Sequence, residues 1–203
     1  MQIETALIGN YFLPIVLNFQ DVLEKISDDE FENFCRHNPN MEIELTKEGE
    51  LVIMPPTGGE TGIRNFTLIG IFFNWLEKYK SGVGFDSSTV FKLPNGAKRS
   101  PDLAWTTNEK WDALSAEEKK KFPPLCPDFV VELRSPSDSL KNLQNKMTEY
   151  IENGAALGWL IDPLQRKVYV YRQNAETEIL ENPEKVSGAP LLKNFSLKMK
   201  KIW

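Results

Sequence analysis

The chain has 203 residues and 23.3 kDa, with 41% hydrophobic and 26% charged residues, ordinary globular usage that disfavours disorder and fibrous structure and suggests one domain over 1–203. Its formal net charge of −5 argues against a protein that coats nucleic acid, although residues 185–203 hold five lysines and no acid and so leave −10 on the rest. A single histidine excludes a multi-histidine metal cage, and two cysteines outside any CxxC pair exclude a disulfide framework, so hydrolytic chemistry must rest on carboxylates, lysines and, if metal-assisted, a hard cation.

No apolar run reaches the ~18–20 residues of a membrane span. The start, MQIETALIGN, lacks the basic, apolar and small-residue regions of a secretory signal, so the expected compartment is the cytoplasm. Residues 1–27 read as an N-terminal extension. A helix is predicted around Asp28–Phe34, where early acids complement the helix dipole, with His37 in a solvated loop after it. Glu42–Thr46 alternates, Lys47-Glu48-Gly49 turns, and Glu50–Met54 returns as the second arm of a hairpin. After Pro55-Pro56-Thr57-Gly58-Gly59, a long amphipathic helix is predicted over Glu60–Lys80, its apolar face being Ile63, Phe66, Ile69, Phe73 and Leu76. Thr57-Gly58-Gly59 does not match a phosphate loop.

Pro94-Asn95-Gly96 signals a second hairpin between Phe85–Leu93 and Ala97–Trp105. Ser115 with Glu118 fits a capping box before a short helix. Asp128–Arg134, DFVVELR, has the β-branched content of a central strand. A helix over Asp138–Asn153 closes at Gly154, and Leu157–Ile161 with Lys167–Tyr171 forms a last hairpin. The lysine-rich end reads either as a phosphate contact or, more simply, as a solvated strand with alternating lysines. The expected fold is mixed α/β, a sheet with a helix before and a helix after its central strands.

In DFVVELR, alternation places Asp128, Val130, Glu132 and Arg134 on one face. A carboxylate near the end of a buried strand is costly unless paired or holding a cation, which singles out Glu132. Asp128 lies four residues upstream, roughly 13 Å away at the strand rise, and reads as a strand-start residue. Pro101-Asp102 ends the other hairpin, where a proline belongs at an edge, a strand start or a bulge. A Pro-Asp pair followed after about 30 residues by Glu-x-basic is the arrangement of a magnesium-dependent nuclease, two carboxylates holding the cation and a lysine orienting water. Here the basic position is Arg134, whose pKa is too high for a base. On the following helix Lys146 lies about 60° from Leu143, at the rim of the apolar arc, whereas Lys141 lies about 160° away in solvent. Lys146 is therefore the candidate ammonium; a rim lysine covering core is the simpler alternative. Glu60, in the first helical turn, is either a site carboxylate or only a dipole complement.

Together Gly49–Pro56, Ser100-Pro101-Asp102, Pro127–Glu132 with Ser135-Pro136-Ser137, Lys146–Tyr150, Asn153-Gly154-Ala155 and Trp159–Pro163 resemble the Uma-two family of restriction endonuclease-like proteins, in the family's order over about residues 28–203. The resemblance implies a PD-(D/E)XK nuclease core with metal at the sheet's edge and the motif lysine moved to the next helix. It assigns Asp102 and Glu132 to Mg²⁺ (with Mn²⁺ as the alternative), Lys146 to catalysis and Glu60 to a supporting acid. The family's histidine beside that acid is replaced here by Thr61. The expected function is thus a Mg²⁺-dependent endonuclease acting on DNA, with a homodimer suited to double-strand cleavage. A non-catalytic nucleic-acid or protein-binding module on the same fold is the alternative, favoured by the acidic net charge. A carboxylate-paired glycosidase is a third class needing two acids.

Overall fold

A computed structural model describes residues 7–8, 11–18 and 26–203 of the chain. The expected extension, residues 1–27, lies largely outside the described residues. In chain order the elements are β1 (Leu7–Ile8), β2 (Tyr11–Phe12), β3 (Ile15–Leu17), α1 (Asp28–His37), β4 (Glu42–Leu45), β5 (Leu51–Met54), α2 (Gly59–Tyr79), β6 (Gly82–Asp86), β7 (Phe91–Lys92), β8 (Lys98–Arg99) and β9 (Leu103–Thr107). There follow α3 (Asn108–Asp112), α4 (Ala116–Lys120), β10 (Phe129–Leu133), α5 (Leu140–Glu152), β11 (Leu157–Asp162), β12 (Lys167–Arg172), β13 (Glu178–Glu181), β14 (Lys185–Ser187), β15 (Ser196–Lys198) and a 3₁₀ turn at Met199–Lys201. No described helix is long and apolar enough to cross a membrane.

The main sheet has six strands in the order β13-β12-β11-β10-β9-β6. Only β10 and β11 run parallel, joined by α5 as the crossover such a pair requires. DFVVELR is central, as its apolar content predicts, with all five residues of β10 buried. Phe129, Val131 and Leu133 face a core built with α2 and the C-terminal segment, where Trp159 and Phe195 stack at 5.7 Å. Val130 faces the opposite core, with Met147 and Tyr150 of α5. The mixed sheet with helices on both faces is the architecture expected from the order of elements.

The second sheet, β3-β5-β4-β8-β7, covers Phe31 of α1 in a third core. α1 begins with a capping box, Ser27 and Glu30 satisfying each other's backbone amides, and α4 begins with the expected one at Ser115 and Glu118. The long hairpin predicted around Pro94-Asn95-Gly96 is divided between the sheets. Its tip, β7 and β8, joins β4; its base, β6 and β9, forms the edge of the main sheet. Ser100 and Pro101 lie between the two ladders, where the missing proline N–H costs nothing.

Two expectations are corrected. His37 is the last residue of α1 rather than a loop residue, its Nδ1 at 2.8 Å from the Asn33 carbonyl. α2 forms as predicted and packs Ile69 and Leu76 of the expected face against the core, but its buried stripe is Leu68, Phe72 and Trp75, whereas Ile63, Phe66 and Phe73 are exposed. The helix is apolar on two sides, and the broad aromatic pair Phe72 and Trp75 covers more sheet; Trp75 also donates to the Lys193 carbonyl at 2.9 Å. At the C-terminal end β14 and β15 alternate, Val186 and Leu197 inward and Lys185 and Lys198 outward, as a solvated lysine-bearing strand should.

Candidate active site

The seam between the two sheets holds a buried polar cluster. Asp102 stands where the chain leaves β8 and enters β9, and its Oδ2 accepts the Leu133 N–H at 2.7 Å. That contact pins the Pro-Asp turn against β10 beside Glu132. From α2, Asn65 donates its amide to Asp102 Oδ1 at 3.1 Å. Both of these partners are neutral, and burial pushes Asp102 up to about 6 against the pull of the Leu133 N–H, Lys146 and Asn65.

Glu132, almost fully buried, accepts at Oε1 from Tyr150 at 3.2 Å and meets Lys146 Nζ at 2.8 Å. The ammonium also lies 2.7 Å from Glu44 Oε1 and donates to the Ser100 carbonyl at 3.2 Å. Three acceptors match the three hydrogens of a lysine ammonium, so Lys146 is held charged. Glu44 in turn accepts the Ser100 N–H at 2.8 Å and pairs with Arg99 at 3.1 Å, while Arg99 pairs with Glu149 of α5 at 2.5 Å. Burial pushes Glu44 up, but Lys146 and Arg99 outweigh it and hold it below its ordinary value. Glu132 goes the other way. Burial raises it well above the usual carboxylate range, Lys146 offsets only part, and Asp102 and Glu44 push it further.

Four carboxylates (Glu44, Asp102, Glu132 and Glu149) therefore face two cations, Lys146 and Arg99. The uncompensated charge falls on Asp102 and Glu132. A divalent cation has the sign and magnitude to relieve it, and oxygen ligands suit a hard ion. Asn65 Oδ1 adds a second indication: it is buried without a hydrogen-bond partner beside Asp102, as an acceptor for a cation's water ligand would be. Among the described residues no group of three or more His, Cys, Asp or Glu side chains is placed to hold a metal. These residues form no all-protein cage; the two carboxylates would have to hold an ion that keeps most of its waters.

The structure thus brings Asp102, Glu132 and Lys146 to one seam. Glu60 sits elsewhere: its side chain is 87% exposed in the first turn of α2 and pairs with Arg64 at 3.4 Å, and it is not among the contacts of the other three. α2 reaches Asp102 through Asn65 instead. Arg134 is spent on Asp162 at 2.8 Å, and Asp128 anchors the start of β10 through Thr106, Thr107 and Lys110. Lys141 is exposed. Sequence reasoning missed Glu44, Asn65, Arg99, Glu149 and Tyr150. For Glu44 the local pattern points the wrong way, since Glu42-Ile43-Glu44-Leu45 alternates like a strand whose acids face water, and it is Lys146 of α5 with Arg99 and Ser100 that engages the second acid.

A family model described as "Putative restriction endonuclease" (Uma2) matches residues 28–200. The fold is similar to the crystal structure of a putative nuclease belonging to DUF820 from Anabaena variabilis ATCC 29413, at 20% identity over 79% of this chain and 88% of that one, with a TM-score of 0.67. No curated protein matches the chain.

Proposed function

The chain belongs to the Uma2 family, with the restriction endonuclease-like fold, and on that footing we propose that it is a Mg²⁺-dependent endonuclease hydrolysing phosphodiester bonds of DNA, with Mn²⁺ as the alternative ion. The observation that carries this reading is the pair of under-compensated carboxylates, Asp102 and Glu132, fixed beside a fully engaged lysine at a seam between sheets.

Asp102 and Glu132 would hold the ion, which supplies Lewis acidity at the scissile phosphate and lowers the pKa of attacking water. The chain's own groups do the rest. Asn65 and the Leu133 N–H fix the carboxylate plane of Asp102. Tyr150 and Lys146 hold Glu132 in one orientation, so that little reorganisation accompanies the reaction. Lys146 is a positioning and charge-balancing group, because every hydrogen of its ammonium is engaged and none is free to move to or from water. Glu60, exposed at the start of α2 and paired with Arg64, touches none of these groups and is given no part in holding the ion. Two copies, one per strand, would cut a duplex on both strands.

One observation favours the second reading, a non-catalytic nucleic-acid or protein-binding module. Glu44, Lys146, Arg99 and Glu149 already form a closed set of ion pairs, which a purely structural cluster would also show. Thermal melting separates the two. Binding of Mg²⁺ to the native state alone should raise the melting temperature in proportion to the logarithm of concentration, by ~2.7 kcal/mol of stability at a hundred times Kd. Glu132→Gln should abolish that rise together with cleavage of plasmid DNA. A parent protein indifferent to millimolar Mg²⁺ and Mn²⁺ would leave the binding module as the reading.

A further inference from the structure

Helix α2 carries a second apolar face that no part of the described chain covers. Ile63, Phe66 and Phe73 are 69%, 82% and 56% exposed, although Leu68, Phe72 and Trp75 of the same helix fill the core. With Gly59, Gly70 and Glu77 they occupy positions 59, 63, 66, 70, 73 and 77, a strict alternation of four and three. That spacing is the seam of a helix pair. Gly70 sits in the middle of it. A Cβ there would meet nothing within 4 Å, so nothing inside the chain demands glycine at a position where it weakens a helix relative to alanine.

We propose that this stripe is the contact between two copies of the chain, the two α2 helices packing antiparallel across a twofold axis near residue 68. Residues equidistant from 68 then face each other. Phe66 of each copy seats on the bare backbone of Gly70 in the other, and Ile63 meets Phe73. Large side chain falls opposite gap, which is what interdigitation requires. At the ends Glu60 lies on the same side as Lys78 of the other copy, and Glu77 falls opposite the bare backbone of Gly59. Parallel pairing would instead set Glu60 on Glu60, Lys78 on Lys78 and gap on gap.

The area is also of the right size. Each partner in a standard interface contributes ~800 Å², a little over half of it apolar, or roughly 450 Å². Two phenylalanines and an isoleucine at these exposures present on the order of 400 Å², taking ~150–250 Å² for a whole aromatic side chain. A contact of this kind is isologous and closes on itself, so it yields a dimer and no fibre. It rests on surface residues outside the buried cluster and stands whether or not that cluster cuts DNA.

Sedimentation equilibrium of the full chain at tens of micromolar should give twice the 23.3 kDa chain mass. Phe66→Glu changes only an exposed side chain, so its circular dichroism and its metal-dependent melting should match the parent while its dimer dissociation constant rises at least tenfold. Register is read by oxidative cross-linking of two single variants, Ile63→Cys and Phe73→Cys, with the parent as the blank for its own two cysteines. Mixed together they should form a cross-linked dimer, and neither should do so alone, because ten residues of helix separate like positions by ~15 Å, beyond disulfide reach. A monomeric parent, whether because the stripe stays bare or because another part of the chain covers it, overturns the proposal. So does a Phe66→Glu dimer of undiminished affinity, or Ile63→Cys linking to itself.

Discussion

Lys146 shows how much a single buried charge can hold in place. Its ammonium spans Glu132 on the main sheet, Glu44 on the second sheet and the Ser100 carbonyl between them. Lys146→Met keeps the stem's packing but leaves Glu132 with no cation and Glu44 with Arg99 alone, a loss of ~3–5 kcal/mol in urea unfolding for a broken buried pair. Cleavage should fall by roughly two orders of magnitude, the cost of losing one preorganised charge-stabilising group, while the Mg²⁺-dependent rise in melting temperature persists or grows, since the excess negative charge has increased. Lys141→Ala, on the exposed side of the same helix, should change neither. Equal cleavage by the two variants would remove Lys146 from the site. Asp102 makes a second prediction through pH. Its folded pKa of about 6 lies above the ordinary 3.8, so between those values the native state binds the extra proton. Stability from this group is therefore greatest below about pH 4, declines as pH rises to about 6, and is level above, a span of ~3 kcal/mol. Asp102→Asn should flatten that part of the melting-temperature profile, and in the parent Mg²⁺ should stabilise above pH 6 much more than at pH 5. A parent and variant with parallel profiles would refute the assignment.

Among the elements, the β6–β9 edge has the least room for change. Gly82 in β6 lies so close to β9 that an added Cβ would fall 2.1 Å from the Thr106 carbonyl oxygen and 2.5 Å from Trp105 Nε1. Gly82→Ala must therefore move backbone, and it should cost at least ~1–3 kcal/mol, measured as a lower urea midpoint at unchanged slope. Gly70→Ala, on the open side of α2, is the contrasting case in the monomer, gaining helix propensity with no clash. Sequence periodicity located α2 and its ends within a residue but only part of its buried face: Ile69 and Leu76 pack on the core, whereas Ile63, Phe66 and Phe73 do not. Threes and fours recur on both sides of this helix, and a pattern cannot say which side meets a sheet.

At the scale of the whole molecule, the two sheets are joined where β4 and β8 meet the cluster. Glu44 ties β4 to Arg99 of β8 and to Lys146 of α5, and Arg99 continues to Glu149. Glu44→Ala should destabilise by ~3–5 kcal/mol, because two buried cations lose a partner. Glu42→Ala, two residues away on the same strand but exposed, should stay within ~0.5 kcal/mol. If both variants unfold at the same urea concentration as the parent, the seam is not a structural joint. The division of one long hairpin between two sheets creates this seam, and it brings the Pro-Asp turn, the N-terminal hairpin and α5 within hydrogen-bonding distance of one another.

Short-range physics is enough to read the hairpins, the capping box at Ser115, the central strand and the span of α2, because alternation, turn chemistry and capping act within a few residues. It also isolates Glu132 as a carboxylate costly on a buried strand without a partner, Asp102 by its Pro-Asp spacing from that strand, and Lys146 by its place at the rim of the apolar arc. Which partners they find depends on long-range packing. Glu44 is 102 residues from Lys146 in the chain, Asn65 is 37 from Asp102, and Glu60 looks locally as good a site acid as either. Burial converts Glu44 from a solvated strand acid into the second anchor of Lys146 and leaves Glu60 in water. Only the tertiary fold decides that, because desolvation and ion pairing depend on what packs over a side chain and not on the residues beside it.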